Sequence, residues 1–323
     1  MALPISKSYT GRTRVVAWRE GFGVASSLLA LAMILAFQVA GDGDTRTVLF
    51  WMGALAVTAM PMLFAFTLLT VPEPPAETLD SPRVTWREAV EVIARNKPFL
   101  WLMGGLAVFL AGAIIGASLH LIVMDKVFHA RRLFPIILAA ENIAGLVALP
   151  FWLWLARTVG KHRALAAAAA GMALFSFPIP LIPHDQAWLY GACIVTRGLC
   201  GGAIAILIAS MVADVVDLDT LEIGRARNGL YFALLGALSN LGGALGALVG
   251  TALPAMFGFE TSTAVNTDSA VFALMVTYAW IPMLIMGASA PFFWIYPLTE
   301  DVQKDLRRQI EVRQRAREGG AAA

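Results

Sequence analysis

Eight long apolar runs, separated by short clusters of charged residues, dominate this sequence and limit what it can fold into. A helix that crosses a membrane needs roughly 20 apolar residues to span about 30 Å of hydrocarbon. Inside hydrocarbon every backbone N–H and C=O must be paired, which a helix achieves by itself. The pattern therefore predicts an all-α integral membrane protein with eight transmembrane helices, at about residues 20–40, 48–71, 98–122, 133–156, 164–182, 187–212, 229–253 and 271–296.

The composition favours the same class and argues against an enzyme. Apolar residues make up 59% of the chain and charged residues 14%, whereas soluble domains average about half and about a quarter. Cys193 and Cys200 would lie about 10 Å apart along a helix, too far for a disulfide. The four histidines lack metal-ligand spacing. With no nucleophile–base pair at the span ends, we predict no catalytic residue, no metal site, no resident cofactor and no nucleic-acid partner.

Lysine and arginine are concentrated on one side of the predicted membrane. The segments that alternation places together with residues 1–19 are 72–97, 157–163, 213–228 and the tail from 297. These five segments hold 19 of the 24 Lys and Arg residues, four fall on the opposite side, and Arg197 lies inside a span. Cytoplasmic loops carry the excess of positive charge. The pattern predicts a multi-pass protein of the plasma membrane (the bacterial inner membrane) with both termini cytoplasmic.

One long polar interruption, residues 72–97, divides the spans into two and six. It begins with a proline-rich stretch, and Thr85–Glu88 is typical of a capping box that opens a short amphipathic helix. The predicted organisation is 1–71 with two spans, 72–97 as a cytoplasmic linker, 98–297 as a six-helix bundle and 298–323 as a cytoplasmic tail. At the boundary between spans three and four, residues 125–132, a re-entrant segment is the alternative, although the lengths favour two crossings.

Two ionisable residues lie well inside predicted spans, Glu141 and Arg197. A charged side chain within the hydrocarbon costs a few kcal/mol on insertion scales, so such residues are functional candidates by default. They either line an aqueous cavity or pair structurally across the six-helix bundle. The sequence alone leaves both readings open.

Two stretches resemble one known family. Ser6–Glu20, SKSYTGRTRVVAWRE, is similar to the loop that enters the fifth helix of the glycoside–pentoside–hexuronide:cation symporters, which belong to the major facilitator superfamily and include the melibiose carrier. Met211–Gly229, MVADVVDLDTLEIGRARNG, resembles the family signature after the tenth helix. Tyr231–Phe232 and Asn96–Phe99 match two helix entries in order. The resemblance implies a major facilitator-type bundle whose eight spans correspond to helices five to twelve, with residues 1–71 as the remnant of an N-terminal bundle.

The resemblance also implies a function. It points to transport of a sugar, glycoside or similar small polar solute by alternating access, coupled to Na⁺ or H⁺ in the complete protein, with the lipid bilayer and the solute as partners. The family's usual cation ligands belong to the first four helices, so none can be assigned to this chain. The alternative is an N-terminally incomplete member that does not transport alone or that needs the missing helices in trans.

Several site residues follow from the resemblance. Arg19 matches an arginine at the sugar site, with a positive-inside anchor as the alternative. Ser239 stands where many members have a lysine, and Asn240 beside it is polar within an apolar helix. We therefore expect these three residues, with Glu141 and Arg197, to face the solute.

A charged cluster follows the sixth span and resembles the gates of this superfamily, in which charge pairs hold one face closed. Its predicted members are Asp214, Asp217 and Arg225. A solvated loop without a gating role is the alternative reading of the same residues.

The predicted orientation can be tested with reporter fusions. A reporter enzyme that works only in the cytoplasm is expected to be active when fused after Ala323, because the charge asymmetry places both termini there. The matched control is a fusion between the first two spans, near residue 43. There the same reporter should be inactive, and a reporter that works only outside the cell should be active. An Ala323 fusion that is active only outside the cell would overturn the orientation.

Overall fold

The computed structural model describes residues 9–40, 45–71, 96–223, 228–263 and 266–297, and these ranges contain helices, turns and loops but no strand. The helices are α1 (Tyr9–Val39), α2 (Thr45–Thr70), α3 (Lys97–Lys126), α4 (Phe134–Val159), α5 (Lys161–Ser176), α6 (Ala187–Ile223), α7 (Asn228–Met256), α8 (Asp268–Met275) and α9 (Ile281–Trp294). A π-helical turn, Val276–Trp280, joins α8 to α9. Short 3₁₀ turns, Arg131–Leu133 and Ile179–Leu181, precede α4 and follow α5.

Within these ranges, eight helical segments are long and apolar enough to cross a membrane, which confirms the predicted class and number of spans. The boundary between the third and fourth spans is a short loop, because α3 and α4 contain 30 and 26 residues and each can cross fully. Helix α1 begins before its predicted span, at Tyr9, and α6 ends after its predicted span, at Ile223. The apolar run marks only the part of each helix that can lie in the membrane. The helix predicted near residues 85–93 lies outside the described residues.

The chain divides into two units. The smaller unit contains α1, α2 and residues 132–139 at the beginning of α4. Only 6% of the span residues of α1 and of α2 are buried. An apolar cleft of about 500 Å³ lies between these two helices. Large exposed apolar faces are stable only against lipid or other apolar helices, so this unit has the surface of a membrane-embedded segment.

The larger unit comprises the other described residues from 96 to 297 and has a packed core. Helix α9 packs against α3 and α5, α3 also packs against α7, and α5 packs against α6. The core residues are apolar and come from every one of these helices, including Leu102, Phe109, Leu165, Leu207 and Phe293. This unit positions the candidate site.

The beginning of α3 is defined by its local sequence. The Asn96 side chain accepts a hydrogen bond from the Phe99 backbone N–H at 3.0 Å, which caps the helix. Pro98 lies in the first turn, where a missing N–H costs nothing. The Asn96 amide also donates to the Tyr231 hydroxyl at 3.2 Å, and the Phe99 and Tyr231 rings meet edge to face. The cap therefore also connects the beginnings of α3 and α7.

Glycines allow close approach at three helix crossings. A Cβ on Gly112 of α3 would lie 2.8 Å from the Pro282 carbonyl oxygen of α9. A Cβ on Gly246 of α7 would lie 2.6 Å from a methyl group of Ile114 on α3. On α6, a Cβ on Gly202 would overlap the Gly145 carbonyl group of α4. Small residues at such crossings are typical of membrane bundles, in which van der Waals packing drives helix association.

The last span is interrupted where proline breaks its hydrogen bonding. Pro282 lies two residues after the π-helical turn and cannot donate to the carbonyl one turn earlier, that of Tyr278. The helix accommodates this by widening into the π turn, a feature often found at functional sites. The turn carries Tyr278 into the core of the larger unit, where its side chain is 1% exposed.

The α4–α6 crossing makes a stability prediction. Gly202→Ala is expected to destabilise the protein, because overpacking of this kind costs about 1–3 kcal/mol. Gly201→Ala is the matched control, since no heavy atom lies within 4 Å of the added Cβ and alanine is favoured over glycine in a helix by about 0.5–1 kcal/mol. Thermal unfolding of the purified variants in detergent measures the difference. Equal melting temperatures for the two variants would contradict the close crossing.

Candidate functional site

Glu141 of α4 and Arg197 of α6 form an ion pair within the larger unit. The Arg197 Nη2 and Nε atoms donate to the same carboxylate oxygen, Glu141 Oε1, at 2.9 and 3.2 Å. Each residue lies ten residues after the first residue of its candidate span. The side chains are 14% and 17% exposed for Arg197 and Glu141, so the pair is largely but not completely enclosed. The structure thus brings the two predicted residues together.

The crossing of α4 and α6 explains why these side chains meet. A Cβ on Gly198, the residue after Arg197, would lie 2.9 Å from the Glu141 Cα atom. One turn further along α6, Gly202 lies against Gly145. The Trp152 indole N–H of α4 donates to the Leu199 carbonyl of α6 at 2.7 Å. The two backbones are therefore close enough for a glutamate and an arginine to pair directly.

A second polar cluster lies beside the ion pair and was not predicted from the sequence. His120 of α3, Tyr190 of α6 and Tyr278 of the π turn are 5%, 0% and 1% exposed. The Tyr278 hydroxyl lies 2.7 Å from both His120 Nδ1 and the Tyr190 hydroxyl, and the Tyr190 hydroxyl lies 3.0 Å from His120 Nδ1. Each hydroxyl can donate one hydrogen bond, and His120 Nδ1 donates or accepts according to its tautomer, so the three groups form one hydrogen-bonded cluster.

Arg197 connects the two clusters. Its guanidinium is close enough for its positive charge to act on Tyr278, Tyr190 and His120. The result is one polar network of five side chains, Glu141, Arg197, Tyr278, Tyr190 and His120, which we call the Arg197 network. It joins α3, α4, α6 and the π turn. A buried network of this kind fixes the relative positions of the elements it joins.

The Arg197 network is covered on one side by an aromatic ring. Phe128, in the loop after α3, stacks on Tyr190 with the ring centroids 4.4 Å apart. The His184 ring lies nearly perpendicular to the same phenylalanine ring, with the centroids 6.3 Å apart. The network therefore lies near the end of the unit at which α3 ends and α6 begins.

A second ion pair lies towards the opposite end of α6. Lys161 Nζ and Asp214 Oδ2 are 2.6 Å apart, and the Asp214 side chain is 5% exposed. Tyr296 lies close by with a buried hydroxyl. Burial, and then the Asp214 carboxylate, raise the pKa of this hydroxyl well above its ordinary value. Asp214 and Arg197 are about 25 Å apart along α6.

The other predicted site residues lie elsewhere or outside the description. Ser239 and Asn240 are on α7, where the Ser239 hydroxyl donates to the Leu235 carbonyl of its own helix at 2.9 Å and Asn240 is exposed. Arg19 lies on α1 and Asp217 on α6, but their side chains are not described. Arg225 lies outside the described residues.

The chemistry of the Arg197 network is that of binding rather than covalent catalysis. It offers a guanidinium that donates, a carboxylate that accepts, and two hydroxyls that do both. Among the described residues, no group of three or more His, Cys, Asp or Glu side chains could hold a metal ion. The arrangement suits a polar or charged solute at the partly exposed Glu141–Arg197 pair.

The amino-acid sequence of this chain is similar to those of known membrane proteins. The sequence model of the family described as MFS/sugar transport protein matches residues 1–300. An uncharacterized symporter of Synechocystis sp. is 30% identical over 261 residues, which cover 74% of this chain and 46% of that protein. The glucuronide carrier protein homolog of Escherichia coli is 22% identical, with 98% of this chain and 69% of the relative aligned.

A more distant relative is a sodium-dependent lysophosphatidylcholine symporter of Danio rerio, 20% identical over 71% of this chain and 43% of its own length. The chain thus spans somewhat less than half of the length of this relative and of the Synechocystis protein.

The Lys161–Asp214 pair makes a stability prediction. Lys161→Gln is expected to destabilise the protein by about 1–3 kcal/mol, because it removes a charge partner from a nearly buried carboxylate. Arg131→Gln is the control, since Arg131 and Asp125 are 3.6 Å apart with 47% and 33% of their side chains exposed, and exposed pairs contribute at most about 1 kcal/mol. Thermal unfolding in detergent checks both variants. A larger loss in Arg131→Gln would contradict the ranking.

Proposed function

The chain belongs to the MFS/sugar transport protein family, and from this premise we propose that it moves a sugar, a glycoside or a similar small polar solute across a membrane by alternating access. The observation that carries the proposal is the Glu141–Arg197 pair. Each residue lies ten residues after the start of its candidate span, and the pair is partly exposed. Ionised side chains at such positions mark solute and ion pathways by default. The family is one of transporters, so the solute undergoes no chemical change.

The ion pair supports recognition of a solute rich in hydroxyl groups. A sugar hydroxyl both donates and accepts, and the pair offers a carboxylate and a guanidinium within one contact distance. Arginine adds several N–H donors in a fixed plane, which orients a polar solute. Arg19, Ser239 and Asn240 are further proposed contacts, on the resemblance to the glycoside–pentoside–hexuronide:cation symporters and on the correspondence of the eight spans to helices five to twelve.

The Lys161–Asp214 pair supports a gate near the opposite end of the bundle. Its short contact and the burial of Asp214 connect the beginning of α5 to α6. We propose that the pair holds these helices together in one state and separates in the other, with Asp217 and Arg225 as further members of the gate. On the predicted orientation this end is cytoplasmic, and the membrane is the bacterial inner membrane.

Cation coupling is the second part of the proposal. We propose symport with Na⁺ or H⁺ in the complete protein, which accords with two relatives whose names describe symporters. The second candidate is that the 323-residue chain transports only together with further helices in trans. It is favoured by the alignments, in which the chain spans 46% of the Synechocystis symporter.

Uptake by the purified chain in liposomes tests the function. With a labelled glucuronide and a labelled galactoside as probes, we expect saturable uptake that Arg197→Gln reduces at least about tenfold, because one lost charged hydrogen bond of about 1.5–3 kcal/mol suffices. Asp214→Asn should alter the transport kinetics with little effect on insertion, and Arg131→Gln is the control. Uptake unchanged by Arg197→Gln would contradict the proposed site.

The two candidates are separated by the same assay. Uptake by the chain alone excludes a requirement for further helices. If the chain is inactive, co-reconstitution with the part of the Escherichia coli relative that this chain does not match should restore uptake under the second candidate. Inactivity in both preparations would contradict both candidates.

A further inference from the structure

We propose that Glu141 and Arg197 form an exchange site, in which an oxyanion group of the solute replaces Glu141 at the Arg197 guanidinium while Glu141 takes up a proton. The inference rests on the proposed transport function. It names the solute class more closely, as one that carries a carboxylate or phosphate group, and it places the coupled proton on a residue of this chain. Anion and proton would then bind and cross together.

The first step is the charge balance of the pair. Arginine stays protonated at every physiological pH, and the Arg197 side chain is only 14% exposed. A largely buried charge that loses its partner is strongly destabilising. Whatever replaces Glu141 at this guanidinium must therefore be negatively charged, and a displaced glutamate must become neutral.

The second step is the geometry of the existing pair. Both described hydrogen bonds from Arg197 converge on one oxygen, Glu141 Oε1, at 2.9 and 3.2 Å. In the stronger bidentate arrangement each of two oxygens accepts one N–H. The present pair shows that a carboxylate fits beside Arg197. The bidentate arrangement is not used by Glu141 and is open to the oxyanion group of a solute. Glu141 is 17% exposed, so the contact lies at the edge of the enclosed region, where a solute can reach it.

The third step concerns the other groups that face Arg197. These are Tyr190 of the same helix, Tyr278 of the π turn and His120 of α3. The two tyrosine hydroxyls are hydrogen-bonded to each other, and a phenol carries no charge near neutral pH, so neither neutralises the guanidinium. Protonation of His120 would place a second positive charge beside the guanidinium, and like-charge repulsion disfavours this. Among the described groups that face Arg197, Glu141 is thus the one that can accept a proton as the anion binds.

The exchange balances in atoms and charge. A proton from water binds to Glu141 Oε1, and the two hydrogen bonds from Arg197 Nε and Nη2 pass from that oxygen to the oxyanion. Before the exchange, one cation and one carboxylate sum to zero. Afterwards one cation, one solute anion and one neutral carboxylic acid also sum to zero. Because both states are neutral, neither exposes an unpaired charge to low-dielectric surroundings as the bundle moves.

Proton uptake on binding tests the exchange. The purified chain in weakly buffered detergent solution is titrated with D-glucuronate, D-glucose 6-phosphate and D-glucose while a pH indicator records the protons taken up. For singly charged glucuronate we expect about one proton per molecule bound. The affinity should then rise about tenfold for each unit by which the pH is lowered, as linkage requires for one proton taken up. Glucose should cause no proton uptake.

Variants locate the proton. Glu141→Gln should bind glucuronate without proton uptake and without dependence on pH, and Arg197→Gln should lose glucuronate binding. Arg131→Gln, at a surface pair, is the control and should behave as the native chain. Proton uptake that persists in Glu141→Gln and is lost in His120→Gln would assign the proton to His120 and overturn the proposal. If Glu141→Gln fails to fold, the proton count and pH dependence of the native chain still decide the matter.

The outcomes separate the inference from the transport function. Binding of glucose alone, or of glucuronate without protons, leaves the function standing and overturns the exchange. Binding of glucuronate or of glucose 6-phosphate, each with proton uptake, supports the exchange and identifies the oxyanion. Failure of every probe to bind counts against both the exchange and the proposed function.

Discussion

The close crossing of α4 and α6 is the constraint on which the candidate site depends. Gly198 and Gly202 on one helix lie against Glu141 and Gly145 on the other, at distances that any larger side chain would increase. This approach brings the Glu141 and Arg197 side chains into direct contact within their candidate spans. In lipid the packing of small residues stabilises such a crossing, because apolar faces gain little by leaving lipid tails. The ion pair is a consequence of the packing at least as much as its cause.

The π turn extends this arrangement to the last span. Pro282 removes one helical hydrogen bond, and the preceding widened turn carries Tyr278 to the hydroxyl of Tyr190 and to His120. The Tyr278 side chain is thus held by partners on α3 and α6. Since the charge of Arg197 acts on Tyr278, the candidate site adjoins a π turn, a feature at which helices kink.

The sequence predicted features that depend on one segment and missed those that depend on two. Eight spans, and the ionised Glu141 and Arg197 within them, are visible because a long apolar run and a charge inside it are local signals. His120, Tyr190 and Tyr278 are each ordinary in an apolar helix, and their contacts join residues 70 to 158 positions apart. Lys161 was missed as the partner of Asp214 for the same reason. The roles of Arg19, Asp217 and Arg225 stay predictions.

The positions of the two ion pairs restrict the route that the proposed solute and proton could take. Between Arg197 and Asp214, the inner face of α6 consists of buried apolar residues such as Ile204, Leu207 and Ile208. A charged or polar species crossing this packed core would lose its hydration without replacement. Under the proposed function, solute and proton therefore reach the Glu141–Arg197 pair from its exposed side and not through the packed core of this unit.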